Sequence, residues 1–114
     1  MFEPNLQPLR IPAGWSVSWN AFHEEEPTAA NVLAFSGTLF AAEHRGAKVA
    51  IDLEWSPKNV EEGRFVVAYV KYARYEKANG AVLLGTFETR NRLEIVTELE
   101  RFMVTLTPPA TARP

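Results

Sequence analysis

The segment Lys48-Val49-Ala50-Ile51-Asp52-Leu53-Glu54-Trp55 decides the fold. Val49, Ile51, Leu53 and Trp55 fall on one parity; Lys48, Ala50, Asp52 and Glu54 fall on the other. A period of two is the signature of a strand with one buried and one wet face. Ser56-Pro57-Lys58-Asn59 stops it, because proline has no N–H for a ladder. Upstream, Glu43 to Gly46 reads as a tight turn, with Gly46 free to take positive φ.

Working outward, Arg64 to Arg74 is predicted as a long strand. It is apolar on both parities: Phe65, Val67 and Tyr69 on one, Val66, Ala68, Val70 and Tyr72 on the other. Asn79-Gly80 carries the strongest short hairpin signal, and Ala81 to Glu88 follows as another strand. On the other side, residues 32 to 42 (VLAFSGTLFAA) are apolar on both parities. A helix after Thr28 competes there, but Phe35, Thr38 and Phe40 with Ser36 and Gly37 in mid-run favour a strand. Trp15 to Phe22 alternates again, which places Trp15, Val17, Trp19 and Ala21 inward. Trp15, Trp19 and Trp55 are therefore expected on core faces.

Asn91 and Glu94 form a capping-box-like pair. Behind them Leu93, Ile95, Val96, Leu99, Phe102 and Met103 share one half of a helical wheel, and Glu94, Thr97, Glu98 and Arg101 share the other. Pro108 and Pro109 end this helix, and 108–114 reads as a frayed tail. Pro4, Pro8 and Pro12 make residues 1–14 an extended arm, draped over the domain. The expected architecture is thus α+β: a single domain over 1–114, a five-stranded antiparallel meander with one C-terminal amphipathic helix packed on one face. Its 114 residues suffice for one core without staples.

One helix covers only part of one sheet face. The strands at 32–42 and 64–74 are apolar on both faces, so a second face needs covering by the arm, by sheet curl or by another chain. The apolar strip beside Asp52 and Glu54 has the look of a binding surface with a charged rim.

Composition narrows the function. The chain has no cysteine, which excludes disulfides and thiolate chemistry and fits a reducing, cytoplasmic setting. The first fifteen residues lack the basic and apolar regions of a signal peptide, and no apolar run is long enough for a membrane span. A net charge of −2 argues against nucleic acid as the ligand. The nearest basic cluster, Lys71, Arg74 and Lys77 with Tyr69, Tyr72 and Tyr75 interleaved, reads as a strand end with snorkelling side chains.

Sites of chemistry are missing. His23 and His44 have no metal-ligand spacing and read as solvated turn residues. Asp52 and Glu54 stand roughly 6.6 Å apart on one strand face, a pair that could do acid/base work but more often lines the wet side of a strand. No serine sits in a nucleophile elbow and no glycine-rich phosphate loop exists. No catalytic, cofactor or metal residues are therefore assigned. Arg90 and Arg92 at the helix start are expected to pair with Glu88 or Glu94, or else to serve a ligand or fix the helix against the acidic strand face. The run Glu24-Glu25-Glu26 before Pro27 is either a solvated loop or an acidic patch for a basic partner.

Three stretches, IPAGWSVSWNAFHEEEP (11–27), IDLEWSP (51–57) and TFETRNRLEIVTELERF (86–102), together resemble small bacterial immunity-type proteins encoded beside polymorphic or contact-dependent toxins. The resemblance implies a non-enzymatic protein that binds and blocks a toxin domain. The expected partner-binding residues are Glu24, Glu25, Glu26, Asp52 and Glu54. The rival expectations are a self-associating adaptor that forms a homodimer through its sheet, and, third, a small enzyme.

Overall fold

A computed structural model describes residues 5–72 and 81–109. Five strands, β1 (Trp15–Asn20), β2 (Gly37–His44), β3 (Val49–Ser56), β4 (Arg64–Lys71) and β5 (Val82–Thr89), pair antiparallel in chain order. One helix, α1 (Arg92–Thr105), closes the described chain. This is the expected α+β meander. The Asn79-Gly80 hairpin signal lies outside the described residues, as do the expected strand end at 73–74 and the chain end from 110 onward.

The alternation in β3 does what its pattern demands. Val49, Ile51, Leu53 and Trp55 are buried, and Asp52 and Glu54 are exposed. In β4, Phe65, Val67 and Tyr69 lie opposite Trp55, Leu53 and Ile51 on the same side. Helix α1 packs there with Ile95, Leu99, Phe102 and Met103, and the Phe102 ring stacks on Tyr69 with centroids 3.7 Å apart. Asn91 caps α1 by accepting from the Glu94 N–H at 2.9 Å. Trp55, Phe35, Phe65 and Phe22 form a chain of tilted and edge-to-face rings at the other end of the core.

Several expectations are corrected. Between Val17 and Trp19 the pairing with β2 shifts register. A bulge reverses the parity that simple alternation assumes, so Trp19 is 57% exposed, on the face away from the helix. Only Trp15 and Trp55 are core tryptophans, and Phe22, beyond the end of β1, is buried instead. A second shift between Thr38 and Phe40 explains why β2 looked apolar on both parities: it buries the adjacent Leu39 and Phe40. The strand starts at Gly37, and Val32–Ala34 forms a single 3-10 turn before it. In the β2–β3 turn the positive φ belongs to Lys48 (59°), not to Gly46. Leu93 is exposed although it sits in the apolar half of the wheel, and Glu98, in the polar half, is buried. Glu98 is there because the Tyr69 hydroxyl donates to it at 2.8 Å.

The arm is ordered by backbone bonds. Gln7 N–H donates to Phe22 O and Glu24 N–H to Asn5 O. Gln7 also accepts from Arg92, and Arg10 N–H donates to Glu100 Oε2 at 2.9 Å. Both of those partners are on α1, so the described arm drapes over the helix side of the sheet. Pro108 is not loose either: it is half-buried, and a Cβ at Gly85 would stand 3.2 Å from its ring.

Candidate functional site

Strand register builds the face opposite the helix. One row crosses the whole sheet, Trp19, Ala41, Asp52, Ala68 and Thr86. The next row is Thr38, Glu54, Val66 and Glu88, and on the other side Glu43, Ala50, Val70 and Leu83 follow. The middle strand therefore places Asp52 and Glu54 at the middle of the face, with small Ala41 and Ala68 on either side of Asp52 and the apolar residues gathered on β4. Val66, Ala68 and Val70 are only half-buried. Trp19 and Leu83, at 57% and 59% exposure, stand at its two edges. Toward the Ala50 end the face is closed: Ala50 and Tyr72 are buried there, and the Tyr72 hydroxyl donates to Glu43 at 3.0 Å.

The acids on this face differ in their ties. Thr38 Oγ1 donates to Asp52 at 3.5 Å, a long contact, and Arg64 pairs with Glu88 at 2.7 Å. The carboxylates of Asp52 and Glu54 both look outward from the middle strand, as their strand parity requires. Trp19 is held by its indole N–H, which donates to Thr38 O at 2.9 Å.

Glu24, Glu25 and Glu26 lie elsewhere. Glu26 pairs with Arg92 at 2.6 Å, at the start of α1 and on the opposite side of the sheet. Glu25 accepts from Asn31 Nδ2 at 2.8 Å, and its second oxygen is buried with no partner among the described residues. Glu24 is exposed. The five acids expected as one rim thus divide into two sets on the two sides of the sheet. Sequence spacing cannot reveal this, because the side of the sheet on which a loop lands depends on the bulge before it.

Arg90 and Arg92 find other partners than those expected: Arg90 donates to Glu61 O at 3.3 Å, and Arg92 serves Glu26 and Gln7. The histidines are half-buried rather than solvated. His44 Nδ1 accepts from Ala47 N–H at 3.0 Å and its ring meets Trp15 edge-on at 5.4 Å. Among the described residues no group of three or more potential ligands could hold a metal ion, and no helix is long and apolar enough to cross a membrane.

A cleft of about 260 Å³ opens between the loop after β1 and the 3-10 turn, walled by Phe22, Phe35 and Leu39, with His23, Glu25 and Asn31 among its polar lining. No family model, curated protein or solved structure matches the chain.

Proposed function

We propose that the chain is a non-enzymatic protein-binding domain that docks its partner on the open sheet face, and that it acts as an immunity protein against a bacterial toxin domain. One observation carries the reading. The row Trp19, Ala41, Asp52, Ala68 and Thr86, flanked by Val66 and Val70, is a strip of mostly apolar residues with the Asp52 carboxylate in it and Glu54 beside it, and the helix and the described arm both lie on the other side. An antiparallel sheet whose second face meets only water normally alternates to polar residues on that face. Here β4 places Val66, Ala68 and Val70 there instead. Apolar surface with a charged margin is what a partner covers.

The chemistry of that partner follows from the charges. Asp52 and Glu54 have no cationic partner among the described residues, and the face on either side of Asp52 is shallow because Ala41 and Ala68 are small. A basic, low-relief protein surface fits both features, as does an acidic inhibitor facing a basic toxin. The resemblance to immunity-type proteins in the three quoted stretches supports the same reading. Self-association is the second reading. A two-fold contact centred on β3 sets Asp52 and Glu54 against their own copies, which disfavours it.

Co-expression with the product of the adjacent upstream reading frame tests this. The reading expects a stable complex of defined mass, and a chain that is monomeric on its own. A stable homodimer that ignores the neighbouring product would support the adaptor reading instead.

A further inference from the structure

We propose that Trp19 is the anchor of the open face and that, together with Asp52, it takes one arginine side chain of the basic partner. The proposal deepens the docking reading and rests on it. Trp19 is 57% exposed, yet its ring is not free to swing. The indole N–H donates to Thr38 O at 2.9 Å, so the ring reaches from β1 across to β2. Thr38 is also the neighbour of both carboxylates. It stands opposite Glu54 in the ladder, and its hydroxyl contacts Asp52 at 3.5 Å. One residue thus brings an exposed aromatic ring and two acids to the same part of the face. Only Ala41 lies between Trp19 and Asp52 in their row, and its methyl leaves a shallow gap between ring and carboxylate.

Ring and charge select the occupant independently. The face of an indole attracts a cation through its quadrupole, more strongly than any other aromatic side chain. Asp52 and Glu54 have no cationic partner among the described residues. The nearest base on the strand positions of this face, Arg64, is already taken by Glu88 at 2.7 Å. Arginine suits the place better than lysine. Its guanidinium is planar and weakly hydrated, stacks flat on an aromatic ring, and still turns an N–H edge toward a carboxylate. A ring that is pinned before binding loses little freedom when a partner covers it, so its contact energy is kept as affinity.

The test titrates n-butylguanidinium chloride into the full chain at constant ionic strength and follows it by NMR. Neutral n-butanol is the comparison. Saturable shifts are expected at the Trp19 indole N–H and at the Ala41 and Asp52 amides, with the cation bound at least fivefold more tightly than the alcohol. Trp19→Leu keeps apolar bulk without an aromatic face and should erase that preference at the two amides, while Trp19→Phe should retain part of it. Asp52→Asn should lower the preference at least twofold, and Glu24→Gln on the other side of the sheet should leave it unchanged. No saturable shift, or a preference below fivefold in the wild-type chain, overturns the proposal whether or not the variants fold. A preference that survives intact in a folded Trp19→Leu protein also overturns it. No partner enters this measurement, so its failure leaves docking on the open face standing. Failure of the docking reading shows separately, as partner affinity unchanged by Ala68→Arg.

Discussion

The Tyr69 hydroxyl donates to Glu98 Oε2 at 2.8 Å, and this bond ties the middle of β4 to the middle of α1. Arg101 closes the same carboxylate from the solvent side, with Nε on Oε1 and Nη2 on Oε2, each at 2.9 Å. Its Nη2 also reaches Thr107 O, holding the chain just past the helix. The network is fully partnered, so a buried charge becomes tolerable inside an apolar interface. The stacked Tyr69–Phe102 pair seals it.

Truncating this carboxylate should be felt. Glu98→Ala leaves the buried Tyr69 hydroxyl without an acceptor, a loss of about 1–3 kcal/mol. Glu98→Gln keeps an acceptor in place and should lose less. Urea denaturation of the three proteins checks the order: wild type, then Gln, then Ala.

Alkali should act through the same residue. Burial, and then the hydrogen bond to Glu98, push the Tyr69 hydroxyl well above its ordinary range. A raised pKa in the fold means that its contribution is fully present below the unfolded value of about 10 and declines as pH rises beyond that. Tyr69→Phe removes the titrating group. The stability gap between wild type and Tyr69→Phe should therefore shrink between pH 9 and pH 11.5. A gap that stays constant over that span would show that Tyr69 is not protected in the fold.

The two tryptophans misjudged as equivalent offer a contrast. Trp55 is 1% exposed and Trp19 is 57% exposed. Trp55→Ala should lose about 3–5 kcal/mol, as large-to-small core changes do. Trp19→Ala should lose about 1 kcal/mol or less, since its hydrogen bond to Thr38 O is solvent-accessible. Thermal or urea melts separate the two outcomes readily.

Gly63 should be intolerant of even a methyl group. A Cβ there would stand 2.6 Å from Trp55 Nε1 and 2.8 Å from Ser56 O, both closer than contact allows. The same indole N–H donates to Val60 O at 2.6 Å and so fixes the loop before β4. Gly63→Ala is expected to lose about 1–3 kcal/mol through overpacking, measured by chemical denaturation.

The legible part of this fold is the part governed by period. The alternation in β3 names the residues of its core face directly, whereas β4, apolar on both parities, leaves open which side meets the helix; the Asn91 cap with its apolar wheel places α1. Legibility fails wherever a bulge intervenes. The shifts after Val17 and Thr38 move Trp19 out of the core and bring Leu39 and Phe40 together into it. It fails again at Glu98, where a wet-face position is buried by one tyrosine from another element. Of the candidate site, Asp52 and Glu54 beside an apolar strip are visible from parity alone. The location of Glu24 to Glu26 is not, because it depends on Arg92, 66 residues away from Glu26 in sequence.

Ala68 sits next to the centre of the open face, between Asp52 on β3 and Thr86 on β5. It is half-buried, so a longer side chain can point outward with little effect on folding. The most direct test of the open face as the docking surface is the affinity of Ala68→Arg for the product of the adjacent reading frame, by titration calorimetry, beside the wild-type chain. A large side chain near the centre of an interface blocks close packing where binding energy concentrates. The account predicts affinity weaker by about a hundredfold or more, with melting behaviour close to wild type. Unchanged affinity in a folded Ala68→Arg protein would contradict it.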